Sequence, residues 1–231
     1  SRKLASSPAH LSRRDFLAAS AAFCATCAGL GAAETSKPNP PPDPIIDIHQ
    51  HTHYHGRSDQ QMLAHQRAMG VTTSILLPAG RPTVRPATHG GRSNGLAANC
   101  TGNDAVVAYA KAHPGEFLFG ANEVTDLPEA KGEIEKYLKL GAKIIAEQKF
   151  GVDCDSPAMQ WIYEVAQAHH VPVLMHWQVG MYNHGFERFY KMLEKFPRVN
   201  FIGHAQTWWA NVDKNNQDDA KNLYPKGPIT P

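Results

Sequence analysis

The sequence predicts an α/β chain of parallel strands rolled toward a barrel, and three observations carry that prediction. Short apolar runs alternate with amphipathic segments at intervals of roughly 30 residues. The runs are continuously apolar rather than alternating, as strands buried on both faces require. Histidines stand at the ends of several runs, and no glycine-rich dinucleotide loop follows the first one.

Six strands are predicted, at 45–48, 71–77, 117–121, 143–146, 171–175 and 200–202. Between them lie helix signatures. Asp126 is placed to cap a helix whose inner face is Ala130, Ile134, Tyr137 and Leu138, with Gly141 ending it. Ser156-Pro157 reads as an N-cap with proline at the first helical position, and Met159, Ile162, Tyr163 and Ala166 form the stripe that follows. Phe186, Phe189, Tyr190, Leu193 and Phe196 repeat the pattern before Pro197 stops it. Strand–helix units of this length imply right-handed crossovers and parallel pairing. The predicted architecture is a TIM-type (β/α)8 barrel, of which about six units are counted, with 207–231 read as one long loop. A full barrel takes about 250 residues, so the expectation is a domain at 45–231 cut short before strands seven and eight. On that expectation the polypeptide is inactive, and turnover by residues 34–231 alone would overturn it.

The first 44 residues read as address and tether. Arg13-Arg14 directly precede an apolar stretch from Phe16 to Leu30, and Gly31-Ala32-Ala33 offers a small-residue cleavage site. This segment, 1–33, resembles the twin-arginine signal of bacterial export, which implies a periplasmic or secreted protein that crosses already folded. The apolar stretch is short against the ~20 residues of a membrane span, so no stable membrane anchoring is expected. Cys24 and Cys27 lie inside it and should leave with it. Residues 34–44 are a proline-rich tether. Cys100 and Cys154 remain, and spacing alone leaves open whether they pair.

A net charge of +2 with no basic stripe argues against a nucleic-acid partner. The 13 histidines are the unusual feature, and their placement carries the chemistry. His49 and His51 close the first strand, two apart and therefore on one face. His176 ends the fifth strand and His204 the sixth. One such histidine alone is usually structural; four at equivalent ends of parallel strands converge where a barrel builds its active site.

The Asp47-Ile48-His49-Gln50-His51 strand, His176 and Gly203-His204 together resemble the amidohydrolase superfamily, in its amidohydrolase-related branch, over 45–231. That resemblance implies one divalent metal ion, zinc by preference, held by His49, His51 and His176. It implies that His204 positions substrate or water, and that an aspartate ending an eighth strand, with no counterpart here, completes the site. Three neutral ligands leave a position for water, whose pKa the ion brings down to about 7. His204 would then stabilise an oxyanion or move a proton.

Glu147 and Lys149, at the end of the fourth strand, share a face; related barrels place a metal-bridging group there, so Glu147 is a catalytic candidate and Lys149 a pocket one. His53 and His55 extend the first histidine run into a loop. The second unit is long by about 16 residues, and its excess, 80–102, carries Arg81 and Arg85. Loops after barrel strands face the active site, so these arginines either point to an anionic small-molecule substrate such as a carboxylate or belong to a merely solvated loop. Trp177 is a candidate pocket wall, and Trp208-Trp209 either wall the pocket or pack. His65, His113, His169, His170 and His184 read as structural or solvated. The oligomeric state stays open, a homo-oligomer included. Hydrolysis of an amide, lactone or ester by metal-activated water is the leading expectation. Non-oxidative decarboxylation of a carboxylic acid, a metal-dependent nuclease or phosphoesterase, and a non-catalytic degenerate barrel are the alternatives.

Overall fold

Six parallel strands follow one another in chain order, each separated from the next by a helix. The computed structural model describes residues 43–80 and 100–214. Residues 1–42, on which the expected signal and most of the expected tether fall, the segment 81–99 with Arg81 and Arg85, and 215–231 lie outside the described residues. The elements are β1 (Ile45–Gln50), α1 (Asp59–Ala68), β2 (Val71–Leu76), α2 (Asn103–Ala112), β3 (Phe117–Phe119) and α3 (Ala130–Lys139). They continue with β4 (Ile145–Gln148), α4 (Pro157–His169), β5 (Val173–His176), α5 (Tyr190–Lys195), β6 (Phe201–His204) and α6 (Gln206–Val212).

β1, β2 and β3 pair in parallel, as do β4, β5 and β6. The two triplets join where Ala121 bridges Ile145, with Lys143 N donating to Phe119 O at 2.9 Å and Ala146 N to Ala121 O at 3.0 Å. In a flat sheet the first and sixth strands would stand about 24 Å apart, five steps of ~4.8 Å. Instead the rings of His49 on β1 and His204 on β6 have centroids 4.3 Å apart. The sheet is therefore rolled.

Two apolar layers follow from the roll. Leu77, Ile144, Ala146 and Leu174 cluster with Ile75 and Ile202 on the inside. The alternate residues, among them Leu76, Ile145, Val173 and Met175, join the helices in the larger core. Because side chains alternate across a strand, β2, β4, β5 and β6 feed both layers. In contrast, β3 feeds only the larger core through Phe117 and Phe119, and Ile45, Ile46 and Ile48 of β1, expected to be buried, are exposed.

The helices form for local reasons. Ser58 and Gln61 make a reciprocal capping box at the start of α1. Ser156 caps α4 through a bond from Met159 N, with Pro157 in the first turn, and Met159, Ile162, Tyr163 and Ala166 are buried as expected. Ala130, Ile134, Tyr137 and Leu138 are likewise buried on α3, which ends before Gly141 at φ +107°.

Three expectations need correction. α3 begins at Ala130 behind Glu129, not behind Asp126, because 125–129 form a turn of their own. The predicted single helix over 186–196 is a 3-10 turn, Phe186–Arg188, followed by α5. Its inner face is Phe189, Met192 and Phe196, whereas Tyr190 and Leu193 are about half exposed. The supposed loop after β6 opens with α6. Cys100 and Cys154 are both buried and are not joined in a disulfide.

Gly203 is where β6 admits Trp208 from α6. A Cβ at this position would lie 1.9 Å from Trp208 Cδ2 and 2.1 Å from Cε2, inside the indole. Gly203→Ala is therefore expected to expel the indole and destabilise the fold by about 1–3 kcal/mol. Denaturant unfolding of the two proteins measures it, and a difference within ±0.5 kcal/mol would disprove the packing argument.

Candidate metal centre

The C-terminal ends of β1, β4, β5 and β6 converge on one carboxylate. His49, His51, Glu147, His176 and His204 all line a cavity of about 410 Å³, together with Gln50, Tyr54, Arg57 and Lys149. Strand alternation places the first pair: Asp47 accepts from His49 N at 3.0 Å, from Gln50 Nε2 at 2.7 Å and from Gln66 Nε2 at 2.9 Å, which braces the end of β1. His176 follows Leu174 on the inward face of β5. Glu147 would face outward with Ile145 by the same rule. The β4–β5 register shifts between Ile145 and Gln148, and its carboxylate lines the cavity instead.

Glu147 is 2% exposed, and imidazoles surround it. Its Oε2 lies 3.6 Å from His49 Nε2 and 3.5 Å from His51 Nε2, while those two nitrogens are 3.1 Å apart. Its Oε1 accepts a short bond from His176 Nδ1 and lies 3.7 Å from His204 Nε2. His51 Nδ1 donates to the Leu77 carbonyl at 2.8 Å, an assignment made from the network, which turns Nε2 toward the carboxylate.

Two overlapping sets of donors result, His49–His51–Glu147 and Glu147–His176–His204, each with atoms within 4.8 Å of one another. Three ligands of a tetrahedral zinc at ~2.0–2.1 Å would stand about 3.4 Å apart. The first set, at 3.1, 3.5 and 3.6 Å, fits that spacing. Imidazole and carboxylate are also the donor chemistry of a borderline divalent ion.

Electrostatics bind the cluster together. Burial alone would raise the Glu147 pKa, but hydrogen bonds from His176, His49 and His51 outweigh it and hold the group well below the usual carboxylate range. Burial pushes the His51 imidazolium down, yet hydrogen bonds to Cys100 and Glu147 overcome that and raise its pKa to about 9. His204 is lowered to about 4, chiefly by burial and then by the neighbouring His49. At neutral pH, without metal, His51 carries a proton and His204 does not.

A layer of amides lies beneath. Asn122 is fully buried, and its Nδ2 donates to the carbonyls of Pro78 at 3.1 Å and Glu147 at 2.9 Å. Its Oδ1 accepts from Gln148 Nε2 at 2.8 Å. Asn183 Nδ2 donates to the Gln148 and His176 carbonyls, both at 2.7 Å. These bonds tie the ends of β2, β4 and β5 to one another.

Of the sequence candidates, His49, His51, Glu147, His176, His204 and Lys149 meet at the cavity. Trp177 does not: it is fully buried on the helix side, against Phe186 and Phe189, because it alternates with His176. Trp209 meets the edge of His204 at 5.6 Å, and Trp208 packs toward Phe186. His53 and His55 are exposed in the turn after β1 and do not line the cavity. Nor do the five histidines read as structural. Tyr54 and Arg57 were missed; Tyr54 stacks on His51 at 5.3 Å. Only their closeness to the first histidine pair could have flagged them.

No family model matches the sequence, and no curated protein matches it. Solved structures do. An uncharacterized TIM-barrel protein from Bordetella bronchiseptica is 17% identical, with a TM-score of 0.55 over 74% of this chain and 69% of that one. The 2,6-dihydroxybenzoate decarboxylase from Rhizobium is 15% identical, with a TM-score of 0.51 over 82% of this chain and 76% of that one. The chain has the fold of a TIM barrel. At these identities the likeness extends to the fold and no further.

Metal uptake must displace the proton on His51. Affinity for Zn2+ is therefore expected to rise about tenfold per pH unit below pH 9 and to level off above it. Competition titrations between pH 6.5 and 9.5 test this, and a flat profile would contradict the assignment.

Proposed function

We propose that this protein is a metal-dependent enzyme of the amidohydrolase type, with His49, His51 and Glu147 as the ligands of one divalent ion. The single observation that carries the reading is the near-equilateral triangle of donor atoms at 3.1, 3.5 and 3.6 Å. Zinc suits the donor set best. When bound, such an ion supplies Lewis acidity, polarising a carbonyl and bringing the pKa of water to about 7.

The chain's own residues supply the rest. His176 holds Glu147 by its other oxygen, so the carboxylate is aimed rather than free to rotate. This moves His176 from the ligand set expected on sequence to a holding role. His204 is held neutral and half-buried beside the cluster, placed to hydrogen-bond the reacting water or a developing oxyanion. His51 is locked in one tautomer by the Leu77 carbonyl.

Hydrolysis of an amide, ester or lactone is the reaction we favour. Non-oxidative decarboxylation is the second reading, suggested by the fold shared with 2,6-dihydroxybenzoate decarboxylase. Carbon dioxide released, against new acid groups titrated, separates the two. Arg13-Arg14 ahead of the apolar stretch supports export by the twin-arginine route. Among the described residues no helix is long and apolar enough to cross a membrane.

The ligand assignment has its own test. Replacing a residue that only orients a ligand typically costs 10–100-fold in metal affinity. Glu147→Gln is expected to lose more than about 100-fold and His176→Ala about 10–100-fold, in competition with a chromophoric chelator. If His176→Ala is the more damaging, His176 is the ligand and Glu147 the partner. If the unsubstituted protein takes up no metal at micromolar concentration, the enzyme reading fails and a non-catalytic barrel replaces it.

A further inference from the structure

Arg57 enters the cavity from the turn after β1, and its bonding is unusual. Nη2 donates to Gln50 Oε1 at 2.9 Å and to the His51 carbonyl at 2.8 Å, so the guanidinium is fixed in orientation. Nε is buried and has no acceptor among the described residues. No carboxylate among the described residues pairs with this side chain. Lys149 reaches the same cavity from the end of β4; it too makes no ion pair among the described residues, and its Nζ lies 5.3 Å over the Tyr182 ring.

Glu147, the acidic group among the cavity's lining residues, already has its negative charge engaged by the imidazoles. The cavity therefore presents two cations that no carboxylate among the described residues neutralises. A guanidinium fixed in orientation and an ammonium on the same cavity suit a carboxylate: the first supplies direction and the second further positive charge. An arginine serving only to brace β1 would not need a lysine beside it on the same cavity.

We propose that Arg57, assisted by Lys149, binds the carboxylate of an organic-acid substrate and so turns its reacting carbon toward the histidine–glutamate cluster. Arg57 is then a specificity-determining residue. The proposal rests on the reading of that cluster as the reaction centre.

The test uses the metal-loaded full chain and two probes of nearly equal shape, 4-fluorobenzoate and 4-fluorobenzamide, followed by fluorine NMR. The anion is expected to bind at least tenfold more tightly than the amide. Arg57→Gln is expected to weaken the anion at least tenfold and leave the amide unchanged, with Arg57→Lys recovering part of the loss. Lys149→Gln should weaken the anion less. Metal content and thermal midpoint are recorded on every sample. Equal weakening of both probes by Arg57→Gln assigns Arg57 a structural role and overturns the proposal. So does an anion affinity indifferent to Arg57 but lost on chelation, which would leave the metal reading standing. No preference for the anion in the unsubstituted protein also overturns it. A chain that binds no metal yet keeps Arg57-dependent anion selectivity removes the reaction-centre reading alone.

Discussion

The constraint on which this structure turns is the burial of one carboxylate. Glu147 is 2% exposed, and an isolated carboxylate in such a place is strongly disfavoured. The chain meets the cost by delivering imidazoles from three other strands. His49 and His51 come from β1, His176 from β5 and His204 from β6. Their approach requires the first and sixth strands to come together at one end, which a flat sheet cannot do. The roll of the sheet and the charge of the site are thus one requirement seen at two scales.

Such a cluster is balanced rather than stable on its own terms. Removing any one imidazole leaves a buried charge less well compensated, and removing the carboxylate leaves nitrogens 3.1 Å apart with their lone pairs or protons in competition. A divalent cation resolves both tensions, because it turns mutual crowding among donors into shared attraction. That is the physical reason to read the arrangement as a binding site and not as a hydrogen-bonded core.

Much of this was legible in the sequence, for reasons that particular residues make plain. Apolar runs marked the strands because parallel strands are buried on both faces, although the isoleucines of β1 are themselves exposed. The stripes Ala130–Ile134–Tyr137–Leu138 and Met159–Ile162–Tyr163–Ala166 marked two helices because their inner faces repeat every three or four residues. α1 was silent: Met62 and Gln66 are its buried residues, too few for a stripe. Strand-end histidines were visible from spacing alone. The inward turn of Glu147 depends on a register shift that no spacing rule encodes. Trp177 went astray for the opposite reason, since alternation from His176 already pointed it away. Arg57 sits in a 3-10 turn region whose geometry composition cannot supply.

The amide layer under the cavity has a consequence for how such a protein can diversify. Asn122, Gln148 and Asn183 join strand to strand through neutral side chains, and two of them, Asn122 and Asn183, are carried by the connections after β3 and β5. The donor cluster therefore inherits its geometry from these two connections as well as from the strands, while Tyr54 and Arg57 line the cavity from the turn after β1. Mutational drift in that turn can change which molecule is accepted, whereas drift in the connections after β3 and β5 reaches the chemistry as well, so selection acts on the loops unequally.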